Sequence, residues 1–169
     1  MNGRNNDLRS ETEVEFRTLK FDFNYYQFYD EVSNISGILR VAVLPLRITK
    51  VENSVDAKPN FRMIAVNIVS FINKGKKGEP SKLPLNLTNI PEEQKIDITE
   101  KLSVLSEPYN IFITMGSKPY YALRYKTSVN KAEVIKDIFD SLGDPIIQIF
   151  MSPPTLSYSY HSNNPPQSE

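Results

Sequence analysis

The chain of 169 residues has no cysteine, one histidine and no phosphate-binding glycine loop, and each absence closes a class of chemistry. Without cysteine there is no disulfide, no thiolate nucleophile and no sulfur-ligated zinc or iron–sulfur centre. The one histidine, His161, lies in a proline-, serine- and asparagine-rich stretch where nothing positions it as a general base. Neither G-x-x-x-x-G-K-[ST] nor G-x-G-x-x-G occurs, and "GKKG" at 75–78 has the wrong spacing to cradle a phosphate. No apolar run approaches the ~18–20 residues of a membrane helix, and "MNGRNNDLRSE" lacks the apolar region of a secretion signal. Together these absences predict a non-catalytic, cytoplasmic protein with no cofactor, no metal and no membrane partner. Carboxylate-only chemistry is the one catalytic route left, but Glu92–Glu93 and Asp137–Asp140 read as solvated faces of predicted helices. The sequons "NIS" at 34–36 and "NLT" at 86–88 are read as chance matches.

What is present suits one folded domain. Hydrophobic residues make up 40% of the chain, enough to bury a real core. Twenty acidic and twenty basic side chains cancel, so no global field draws the protein to nucleic acid or anionic lipid. The balance conceals an alternation: residues 38–90 sum to +6 and 118–131 to +4, with the remaining segments negative. A folded surface built from them would be polarised.

Residues 1–11 are polar and expected to be mobile, 12–151 form the expected single domain, and 152–169 read as a tail without a fold of its own. From Glu13 apolar and polar residues alternate, and the parity flips at Thr18–Leu19, which predicts a bulge or bend in one long strand. Asn24 is a plausible helix cap, so Tyr25, Tyr26, Phe28 and Tyr29 are assigned to a short helical turn that acts as a flap. "ILRVAVLPLRITKV" (38–51) is a strand with a bend or an open edge at Pro45. "FRMIAVNIVSFI" (61–72) is apolar on both parities, the mark of a central strand covered on both faces. Asp97 with Glu100 starts a predicted short helix carrying Ile98, Leu102 and Leu105. "YNIFITM" and "YYALRYK" flank "GSKP" as a hairpin. A second predicted helix carries Val134, Ile135, Ile138, Phe139 and Leu142 and stops at Gly143, and "DPIIQIFM" is the last predicted strand. The order strand, helix, strand, strand, helix, strand over 61–151 predicts an α+β, ferredoxin-like antiparallel sheet with two helices, extended by two N-terminal strands. A partly open β-barrel with two helices is the alternative.

Two binding readings follow. The leading one is a protein-interaction or assembly module, a subunit or self-associating component. Its tail would dock through Leu156, Tyr158 and Tyr160. The other is RNA or single-stranded DNA binding. If Tyr121, Leu123 and Tyr125 face the helices, then Tyr120, Arg124 and Lys126 point to the opposite sheet face, joined by Phe112 and Gln148. Rings beside cations on an antiparallel sheet are how RRM-type modules stack bases and hold phosphate. "KPYYALRYK" lacks the glycine-rich aromatic pattern of that family, so the likeness is one of element order. The lysine turn, Lys74, Lys76 and Lys77 with Lys82, would contact phosphate or an acidic partner, or simply keep strand ends soluble.

Overall fold

The computed structural model describes residues 10–52, 58–82, 86–116 and 118–161. These residues form twelve β-strands and two single-turn 3-10 helices, so the expected α+β fold with two helices, ferredoxin-like or barrel, is replaced by an almost purely antiparallel β architecture. The strands are β1 (Ser10–Val14), β2 (Phe16–Lys20), β3 (Asn24–Asp30), β4 (Ile35–Glu52), β5 (Pro59–Asn73), β6 (Lys95–Asp97), β7 (Ser103–Ser106), β8 (Asn110–Thr114), β9 (Tyr120–Lys126), β10 (Val129–Phe139), β11 (Pro145–Met151) and β12 (Thr155–His161).

The long β4 organises a first sheet. One of its edges takes β3 along 35–41 and β1 along 48–52, and β7 adds to β3. The other edge pairs with β5 from Gly37–Asn73 to Glu52–Pro59. Pro45 sits where β3 has ended and β1 has not begun, so its missing N–H costs no ladder bond there, and a bulge follows at Leu46. A second sheet runs β12–β9–β8–β2 and a third β11–β10–β6.

Both smaller sheets lie against the inner face of the first. Val43 and Ile48 of β4 pack with Phe112, Tyr121, Leu123 and Tyr125 of the second sheet. Toward the other end of β4, Phe28 packs with Ile98, Ala132 and Val134, and Tyr26, Leu39 and Val41 meet Val129, Ile147 and Ile149. Gly37 is needed here, because a Cβ would fall 2.4 Å from the Phe71 ring.

Each predicted helix failed for a local reason. The Asp97 carboxylate accepts hydrogen bonds from the Thr99 N–H (2.8 Å) and hydroxyl (2.6 Å), but the N-cap position of the turn is Ile98. The helix lasts one turn, Thr99–Lys101, and the chain continues as β7. The stripe at 134–142 belongs to β10, whose register slips between Val134 and Phe139 around Asp137 at φ 58°. A bulge that resets strand parity produces the same spacing of apolar residues as a helical turn, and the β-branched content decides for the strand. Gly143 does take a positive φ (80°), but in the β10–β11 hairpin, where the Asp140 carboxylate accepts from Leu142 and Asp144 N–H. Nor do Tyr25–Tyr29 form a helical turn. They are β3, with Asn24, Tyr26, Phe28 and Asp30 buried in alternation. A register shift between Thr18 and Lys20 of β2 matches the expected bulge, but the one long strand expected there is broken at Glu15 into β1 and β2, which join different sheets.

Candidate binding surfaces

Strand β5 departs most from its expected setting. It is an edge strand: no described segment pairs with the edge facing away from β4. Its odd residues Phe61, Met63 and Ala65 pack inward on the core shared with the second sheet, and Phe71 packs on the core shared with the third. Its even residues point outward, where Ile64 is 58% exposed and Val66 and Ile72 each 42%. Val69 has inward parity yet is also 42% exposed. Beside Ile64 the bulged Leu46 adds another exposed apolar side chain, at 58%. From Met63 to Asn73 the strand carries no charge. Its ends do: Lys58 and Arg62 at the start, and Lys74, Lys76 and Lys77 just past the finish, all exposed. The double parity that predicted a buried central strand is thus left partly open to solvent.

The second surface is the outer face of the second sheet. Tyr121, Leu123 and Tyr125 point inward, so Tyr120, Arg124 and Lys126 share the opposite face. Arg124 is exposed, with Tyr120 and Lys126 partly so. Arg17 and Lys20 of β2, opposite Ile113 and Ile111, belong to the same face. The Tyr109 ring, missed in the sequence, lies under both cations, 4.7 Å from the Arg124 guanidinium and 5.8 Å from the Lys126 ammonium. The Glu107 carboxylate is 3.7 Å from that ammonium. Two expected members are absent. Phe112 pairs with Leu123 on the inner face, is 1% exposed and stacks on Tyr125 at 5.3 Å. Gln148 lies on β11 opposite Glu133, in a different sheet.

The residues expected to dock a partner through the tail belong to the second sheet, with Tyr158 37% and Tyr160 62% exposed. Leu156, Tyr158 and Tyr160 lie on β12, which pairs with β9 along its length. Leu156 joins the core, and the Tyr158 and Tyr160 rings stand edge-on to Tyr121 at 5.7 and 5.9 Å. His161 closes the strand opposite Tyr120, its Nε2 3.2 Å from the Ser159 hydroxyl. Residues 162–169 and 1–9 lie outside the described residues.

Lys76 and Lys77 border a cleft of about 480 Å³ between the β3–β4 turn and the β10 bulge, floored by Ile35, Ile96 and Phe139. Lys77 is engaged at its rim, donating to the Leu142 carbonyl (3.1 Å) near Asp144 (3.8 Å). The buried acids hold the fold. Asp30 accepts from the Ser33 N–H (2.9 Å) and hydroxyl and pairs with Lys101, while Glu133 pairs with Lys131. That pairing raises the Lys131 pKa. No helix among the described residues is long and apolar enough to cross a membrane. No family model matches the chain, and neither a curated protein nor a solved structure matches it.

Proposed function

We propose that the chain is a non-catalytic interaction module that joins a protein partner through the open edge of β5. One observation supports the reading above the others: a fifteen-residue strand of buried-strand composition whose outer edge pairs with no described segment. Free edges are templates for a further strand, and folded proteins usually blunt them with charge, proline, bulges or shortness. The stretch from Met63 to Asn73 carries none of these. Addition of a strand would satisfy the outward amides and carbonyls and cover Ile64, Val66 and Val69 at once.

A random-peptide display tests it, with wild type and Val66→Lys as the two baits. Val66 is exposed, so the substitution leaves the fold and its melting temperature nearly unchanged. Recovery of peptides that bind wild type and not the variant is the expected result. If no such peptide is recovered and wild type is monomeric at high concentration, the reading fails.

A second reading, single-stranded nucleic acid, is favoured by Arg124, Lys126, Tyr109 and Tyr120 meeting on one sheet face. Loss of Phe112 to the core leaves Tyr109 and Tyr120 as its stacking rings. Labelled strands should then bind in a salt-sensitive way, and Arg124→Ala should weaken binding across sequences. Salt-insensitive binding, or binding unchanged in Arg124→Ala, removes this reading.

A further inference from the structure

Resting on the interaction reading, we infer that the occupant of the β5 edge is an extended peptide segment with alternating apolar residues in its middle and carboxylates at both ends. Three features of the strand point to that chemistry. The exposed side chains along its middle are uncharged, and all but Asn67 are aliphatic: Ile64, Val66, Val69 and Ile72. Such a row takes apolar partners at cross-strand and diagonal positions, and a charge placed there is desolvated without a counterpart. Both ends are cationic. Lys58 precedes the strand and Lys74 and Lys76 follow it, none with a carboxylate within ion-pair distance among the described residues. Among the described residues Arg62 has Glu11 alone as an acidic neighbour, at 3.7 Å with both side chains exposed.

The same charges disfavour a second copy of the chain. Antiparallel self-pairing centred on Ile68 sets Arg62 opposite Lys74, and nearby registers bring the basic start of one strand beside the basic end of the other. A parallel pair aligns each lysine with its twin. Like charges facing across strands are unfavourable in either arrangement. An acid-ended segment reverses the sign at both ends and is indifferent to strand direction.

Three labelled twelve-residue peptides separate the outcomes by fluorescence anisotropy against the full chain. All share an alternating Val/Thr/Ile middle, with Glu-Asp pairs, Lys pairs or Ser pairs at the ends. The acid-ended peptide is expected to bind about tenfold tighter than the serine-ended one at low salt, with the gap closing as salt rises. The lysine-ended peptide should bind weakest. Val66→Lys should abolish binding of all three, and Lys74→Glu with Lys76→Glu, which inverts one end and leaves Lys58 and Arg62 at the other, should bring the acidic and basic peptides to similar affinity. Equal binding of the three through β5 overturns the acidic-partner inference while leaving the edge reading in place. So does a dimer already formed at low ionic strength that Val66→Lys dissolves. Failure of every peptide, with the chain monomeric, overturns both.

Discussion

Tyr26 shows how one side chain ties the two halves of the sandwich together. Its hydroxyl donates to the Glu107 carboxylate at 2.6 Å and accepts from the Val129 N–H at 3.3 Å and the Asn24 amide at 3.4 Å. The Asn24 amide in turn donates to the Thr127 carbonyl at 2.7 Å. Strand β3 is thereby bonded to the β9–β10 connection and to the loop before β8. Burial, then the Glu107 carboxylate, push the Tyr26 phenol from its usual 10 up to about 12. The folded pKa lies above the unfolded one, so this contribution to stability is complete below pH 10 and is lost as pH rises toward 12. Tyr26→Phe should cost about 1.5–3 kcal/mol near neutrality, since a buried hydrogen bond to a charged group is lost. It should also flatten the decline between pH 10 and 12. Urea unfolding of both proteins across that range is the check, and parallel pH profiles would show that Tyr26 is not the titrating group. The buried Tyr125 phenol, bonded to the Val43 carbonyl, is also raised by burial and supplies the decline that remains.

At the scale of elements, a bulge that only flips parity was legible, and one that imitates helical spacing was not. The β2 bulge, the Pro45 break and the β8–β9 hairpin can be read from parity and turn residues alone. Strand β10 cannot, because Ile135 and Ile138 imitate a helical face when a bulge at Asp137 intervenes. Nor can local pattern tell a strand buried on both faces from β5, because the difference lies in what pairs with it. The basic face around Arg124 was legible by alternation, and Phe112 was misassigned because its face depends on register with Leu123. Strand β12 escaped notice because "TLSYSYH" has serines where an outward face needs only small polar groups. Its place in the sheet predicts that ending the chain at Pro154 lowers stability by roughly 3 kcal/mol, from the packing of Leu156 on the core and the edge-on contacts of two exposed tyrosine rings with Tyr121. A tail lying outside the fold would leave the urea midpoint unchanged.

For the whole molecule, zero net charge and an open apolar edge together set how it behaves in solution. No long-range repulsion keeps copies apart, so what opposes edge-to-edge association is the local repulsion between the basic ends of β5. That repulsion acts over a Debye length of about 10 Å at 0.1 M salt and about 3 Å at 1 M. Added salt should therefore act in opposite directions on two equilibria at one edge. Self-association should rise with ionic strength, as Arg62 and Lys74 of facing copies are screened and apolar burial is left to decide. Binding of an acid-ended segment should fall over the same range. Sedimentation velocity at 0.05, 0.2 and 1 M sodium chloride, over which the Debye length falls from above about 10 Å to about 3 Å, should show the sedimentation coefficient climbing for wild type. Val66→Lys, which places a charge in the middle of the strand, should stay monomeric throughout. Self-association that weakens with salt would mean that ion pairs hold the copies together and that the contact lies elsewhere on the molecule.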